Sequence, residues 1–196
     1  MRKIFLDIGM HRGQTLKKAI EEFPNLDLYI GVEPVKELVL AAEKLLWGSD
    51  KVRLYCIALD MFDGDIIKDR KITFYEDMSK GNRKLGSSIL ADKTMRKQRA
   101  ISVTAVDVRT FFKKVFLPDD KVIMKIDVEG KEYDIFEALI ESGLLQKYVI
   151  KIFAEWHWHK VPSIPKSRHN EILIALNKLG YNLKGKSELD EFYNGF

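Results

Sequence analysis

Two short stretches of this chain put acids where an apolar run gives way to a helix. In KIDVEGKEYDIF, residues 125–136, a β-type run from Val122 to Ile126 stops on Asp127, and a helical pattern follows Gly130. A carboxylate in such a place carries a desolvation cost unless it is paired. The junction at the carboxyl end of a parallel sheet is also where α/β proteins bind ligands. Extended alternation would set Lys125, Asp127 and Glu129 on one side of the chain. On a later apolar strand Glu155, His157 and His159 alternate with Trp156 and Trp158. These groups suit a reaction in which a hydroxyl is oriented and relieved of its proton, with Asp127 at its centre and Glu155 and His157 completing a polar pocket. Either Asp127 or His157 can serve as base, the histidine because an unperturbed imidazole titrates near neutrality. Glu129 reads equally as a pocket acid or a helix-start acid, and Glu132 as an acid favoured by the helix dipole. His159, beside Lys160, reads as solvated. An alternative chemistry has Asp127, Glu155 and His157 holding a divalent cation that acidifies the hydroxyl. That donor set would suit magnesium or manganese, but no dedicated ligand spacing supports it, and no metal ligand is assigned.

The second stretch opens the chain. Asp7-Ile8-Gly9-Met10-His11-Arg12-Gly13 reads as a strand, a glycine-bearing turn and a helix start. Gly9 permits the tight turn, and Gly13 lets the helix begin close to a ligand. A dinucleotide fingerprint would need glycines where His11 and Gln14 stand, which disfavours NAD. Glu33, at the end of the next apolar run, can accept hydrogen bonds from both hydroxyls of a ribose. A cationic nucleoside without phosphates fits this set, and S-adenosylmethionine is the obvious candidate.

Apolar spacing predicts the elements that must position these residues. Strands are expected over 3–8, 28–32, 52–59, 122–126 and 148–156, and helices over 13–23, 35–47, the stretch after Gly130, and 167–179. A short hairpin is expected over 181–196. Such alternation argues for a parallel sheet covered on both faces. The stretch 72–106 breaks the rhythm, with strand-like pieces at 72–75 and 101–106, and reads as an insertion over the carboxyl edge of the sheet.

Inside it, Lys80, Arg83, Lys84, Lys93, Arg96, Lys97 and Arg99 face a single acid, Asp92. With Ser87 and Ser88 this run suggests a substrate lid, contacting the acceptor through Arg83, Lys84 and the two serines, and an anionic acceptor such as a phosphorylated sugar, a nucleotide-sugar or an RNA end. A solvated face is the plainer reading. No aromatic residue lies between Tyr75 and Phe111, which weighs against stacking on single-stranded nucleic acid.

The 196 residues, 46% hydrophobic and 32% charged, suit one globular domain over 1–196. No apolar run is long enough to span a membrane, and Asp7 interrupts what could have been a signal peptide. Cys56 stands alone, so a disulfide framework and a thiolate metal site are both out of reach, and a reducing, cytoplasmic setting is expected. The net charge of +4 is too mild to imply nucleic acid. Nothing in the pattern sets an oligomeric state.

Taken together, FLDIGMHRGQT, the GVEP that closes the second strand, Gly86-Ser87-Ser88, MKIDVEGKEYDIFEAL and AEWH resemble the class I S-adenosylmethionine-dependent methyltransferases, and more narrowly the FkbM family. The resemblance implies a three-layer Rossmann-like fold with a seven-stranded, mostly parallel sheet and a reversed last strand. It also implies methyl transfer mostly to hydroxyl groups, with diverse acceptors that include sugars and secondary metabolites. The cofactor would lie along Asp7, Gly9, Met10, His11, Gly13 and Gln14, then Glu33, Pro34 and Ala58, and end at Asp127. Met10 and His11 depart from the family, which has a small residue and Asn there. The chain starts at its first strand, so no amino-terminal substrate-binding extension is expected. An enzyme acting on a small-molecule, sugar or glycan acceptor is therefore expected. An RNA or nucleotide methyltransferase and a non-catalytic binding subunit of the same fold are the alternatives.

Overall fold

The structure, a computed structural model, describes all residues except 63–68, 79–85, 94–96, 186 and 195–196. Strand β1 (Lys3–Ile8) leads to α1 (Gln14–Glu22), β2 (Leu28–Val32), α2 (Lys36–Leu45) and β3 (Val52–Tyr55). The short β4 (Ala58–Asp60) and the longer β5 (Arg70–Asp77) and β6 (Gln98–Asp107) follow. Next come α3 (Val108–Val115), β7 (Lys121–Ile126), α4 (Glu132–Glu141), α5 (Leu144–Tyr148) and β8 (Val149–Ala154). A 3-10 turn (Trp158–Lys160), α6 (Lys166–Lys178) and α7 (Leu189–Asn194) complete the order.

Five strands form one sheet in the order β3-β2-β1-β7-β8, and every pairing in it is parallel. Alternation along β1 decides the layers. Ile4, Leu6 and Ile8 enter the core beneath α3, α4 and α6, and Phe5 enters the core beneath α1, α2 and α7. A strand apolar on both faces needs helices on both sides, which is the predicted three-layer arrangement. Because β1 lies centrally between β2 and β7, its end and the end of β7 open at the same edge.

The predicted insertion is a second, three-stranded sheet in the order β4-β6-β5, with β5 antiparallel to β6. It has its own small core around Leu38, Phe62, Phe74, Val103 and Ala105. The stretch expected as one strand over 52–59 divides at Cys56-Ile57, because β4 leaves the main sheet to pair with β6. The main sheet differs from the seven strands implied by the family resemblance: among the described residues it has five, and none is reversed. The tail expected as a hairpin forms α7, whose Phe192 packs edge-on against Phe153 and beside Phe5. Two further helices were not expected. Helix α3 is capped by the Asp107 carboxylate, which accepts from the N–H groups of Arg109 and Thr110, and α5 follows directly on α4.

Candidate active site

The turn after β1 is cranked by three residues in the left-handed region, Gly9 (φ 81), His11 (φ 52) and Gly13 (φ 82). For His11 this is a strained conformation of the kind found at functional turns. The Glu33 carboxylate holds it there, accepting from the N–H of His11 at 3.2 Å and from that of Val35 at 3.0 Å. Burial pushes Glu33 up to about 7, against the pull of those two hydrogen bonds.

This turn and the one after β7 interlock. The N–H of Asp127 donates to the Ile8 carbonyl at 3.0 Å. A β-carbon on Gly9 would sit 1.9 Å from the Asp127 carbonyl oxygen. Gly9→Ala therefore combines a left-handed backbone with a backbone clash, and should lower stability by about 2 kcal/mol or more, read as a fall in thermal midpoint.

Lys125 ties both turns from beneath. Its buried ammonium donates to the Gly9 carbonyl at 2.7 Å and lies 2.9 Å from Asp7 and 3.6 Å from Asp127. Asp7 is 0% exposed, and its oxygens have no hydrogen-bond partner among the described residues, so the Lys125 charge is what compensates it. Burial pushes the Asp7 carboxyl up despite that charge, while Asp7 and Asp127 outweigh burial to hold Lys125 above the usual lysine range.

Above these turns lies a cavity with a largely apolar wall. Gly9, His11, Glu33, Pro34, Ala58 and Asp127, all expected along a cofactor, line it, and Ser87 and Glu129 join them. Four other expected contacts lie elsewhere. Asp7 is sealed below the turn, Met10 is buried against Gly31, Gly13 presses on Ala42 of α2, and Gln14 is exposed at the start of α1. Apolar wall residues that the sequence did not single out are Leu38, Ile57, Phe74 and Ile89.

At the far end of the cavity the acids converge on one imidazole. His157 Nε2 lies 3.2 Å from Glu129 Oε2, 3.4 Å from Glu155 Oε1 and 3.8 Å from Asp127 Oδ1. Strand alternation was the wrong reason to expect this. Strand β8 ends at Ala154, and Glu129 has φ 57, so neither segment is extended where the acids meet. The Glu129 conformation is held from the insertion: Ser88 Oγ donates to its carbonyl at 2.7 Å, and the buried ammonium of Lys93 bonds its carboxylate and the Gly86 carbonyl. Ser88, expected to touch substrate, is thus fully buried beneath this loop. Arg83 and Lys84 lie outside the described residues.

Glu132 is the residue that sequence reasoning undervalued. It does stand in the first turn of α4, as expected of a helix-start acid, but it is 0% exposed, accepts from the Gly130 N–H at 2.9 Å and meets His157 Nδ1 at 2.5 Å. Its spacing from Asp127 and the short glycine turn between them were the available signals. Burial opposes a charge on His157, yet the carboxylates of Glu132 and Glu155 at its two ring nitrogens push it up to about 10. Glu155 is held down to about 2 by the same imidazole, and burial pushes Asp127 up to about 6 against the pull of Lys125.

Residues 7–183 match the family model described as the methyltransferase FkbM domain. The chain belongs to the FkbM methyltransferase family. No curated protein and no solved structure matches it. Methyltransferases of this kind generally use S-adenosylmethionine. In this methyltransferase the two junctions keep the separate roles that the sequence suggested. The β1 and β2 ends shape the cavity, and the β7 end with the segment after β8 supplies the acids. Asp127, 27% exposed, faces the cavity, whereas His157 is enclosed behind the acids and does not line it. Among the described residues no helix is long and apolar enough to cross a membrane.

Proposed function

We propose that this FkbM methyltransferase moves a methyl group from S-adenosylmethionine to a hydroxyl of a small-molecule, sugar or glycan acceptor. One observation carries the reading: Glu33 and Asp127 line a single cavity, from opposite ends of the β2-β1-β7 edge. Glu33 would accept from the ribose hydroxyls, and Leu38, Ile57, Phe74 and Ile89 would flank the adenine. The sulfonium would then point toward the carboxylates. The acceptor oxygen attacks the methyl carbon in line, the carbon–sulfur bond breaks with its electron pair passing to sulfur, and the hydroxyl proton goes to Asp127. Of the described members of the basic run, Lys93 is paired with Glu129 and Arg99 with Glu76, while Lys97 is exposed. Calorimetry with S-adenosylmethionine and S-adenosylhomocysteine tests the reading, since failure to bind either would overturn it.

Glu33 gives that titration a pH signature. Its carboxyl is raised from 4.5 to about 7, so the folded state holds this proton more tightly than the unfolded chain does. The resulting contribution to stability is fully present below 4.5 and is lost as pH rises through about 7. Ribose hydroxyls donate best to the ionised form, so cofactor affinity should move the other way, tightening about tenfold from pH 6 to pH 8. Glu33→Gln should flatten this dependence. A wild-type affinity that ignores pH would remove Glu33 from the cofactor contact.

A further inference from the structure

We propose that His157, Asp127, Glu129 and Glu155 form a binding site for one divalent cation of the magnesium or manganese type. A cluster of acids alone would not justify this; the histidine does. His157 is 0% exposed, and its Nε2 has no hydrogen-bond partner among the described residues, although it points into three carboxylates. A buried ring nitrogen left without an aligned partner is an expensive arrangement unless something occupies the space before it.

The separations fit a shared ion. Adjacent donors on an ion with bonds of about 2.1 Å stand about 3 Å apart. Here the three oxygens lie 3.2, 3.4 and 3.8 Å from Nε2, so a small inward movement of flexible carboxylates would close the shell. The donor atoms of Asp127, Glu129 and His157 all lie within 4.8 Å of one another. Lys125 approaches Asp127 through Oδ2, which leaves Oδ1 on the side of the imidazole, whereas Glu129 Oε2 is shared with the ammonium of Lys93 and Glu155 Oε1 lies 3.7 Å from that of Lys160.

The ring is also prepared from behind. Glu132 meets Nδ1 at 2.5 Å and is itself fixed by the Gly130 N–H at 2.9 Å. A carboxylate in this position sets the tautomer and makes the opposite nitrogen a stronger ligand, the usual support of a metal-binding histidine. Three carboxylates with one imidazole, and with Cys56 exposed elsewhere, select hard or borderline ions over thiophilic ones. Four protein donors leave two of six octahedral positions for acceptor oxygen or water. Asp127 and Glu129 line the cofactor cavity as well, so the ion would stand where the acceptor hydroxyl must lie. Its catalytic use, acidifying that hydroxyl, rests on the methyl-transfer reading above, whereas its binding does not.

Titration of the full chain with Mn²⁺, followed by loss of the free-ion electron paramagnetic resonance signal, tests the site. One ion per chain is expected, with affinity weakened at least tenfold in His157→Ala and in Glu155→Gln. Glu155 is half-buried at the cluster edge, so its variant keeps the test alive should His157→Ala fail to fold. S-adenosylmethionine binding, measured in the same samples, should persist in both variants, because neither residue lines the cavity. Wild-type protein that binds the cofactor but takes up no stoichiometric Mn²⁺ overturns the metal site alone, as does uptake unaltered in both variants. Protein that binds Mn²⁺ but no cofactor overturns the methyl-transfer reading alone.

Discussion

Asp127→Asn is expected to lower turnover about a thousandfold while leaving cofactor affinity within a fewfold, the range of losses seen when a positioned proton acceptor is removed. The substitution keeps the size and planarity of the side chain. It also keeps the backbone N–H that joins Asp127 to Ile8, so the interlocked turns should survive. What it removes is the charge that faces both the cavity and His157. Lys125 still has Asp7 at 2.9 Å, which limits the structural consequences. Transfer of labelled methyl from S-adenosylmethionine into acceptors of a cell extract provides the measurement. Full activity in the variant would remove Asp127 from the mechanism.

Lys125→Met should have the largest effect on stability, a loss of about 3–5 kcal/mol, because it strands a fully buried carboxylate without its counter-charge. Asp7 accepts no hydrogen bond from another described residue, so nothing else is in place to compensate it. The methionine also loses the donor to the Gly9 carbonyl, and cofactor affinity should fall along with stability. Urea unfolding reads the first effect. Adding Asp7→Asn should restore most of the lost stability, since an amide is far cheaper to bury than a lone carboxylate. A double variant as unstable as the single one would show that the Gly9 contact, and not the ion pair, is the source.

The elements around the site were legible because their apolar spacing is regular. Strand β1, helix α1, strand β2 and helix α2 fall within a residue or two of their expected limits, as do β7 and α6. Helix α3 was missed because its eight residues give little periodicity, although Asp107 ahead of the Phe111-Phe112 pair is a usable start signal. The break at Cys56-Ile57 could not be read locally, since it depends on β4 finding β6 far along the chain. At the site, residue types were easier to read than distances. Asp127, Glu155 and His157 were grouped correctly, but through an extended geometry that the backbone does not adopt. Glu132 was misjudged because helix-start acids are common, and only burial against His157 distinguishes this one. Asp7 was placed beside a ligand on the strength of its turn, whereas its partner is a lysine elsewhere in the chain.

That long separation has a consequence for how the protein is made. Strand β1 is translated well before β7 yet occupies the middle of the sheet beside it, with Lys3 in register with Lys121 far along the chain. Until the ribosome releases Lys125, a nascent amino-terminal half that closed on itself would have to bury Asp7 with no cation beside it. The carboxylate would then act as a brake on early collapse and the lysine release it, so the sheet and the floor of the cavity should be completed in one step, late in synthesis.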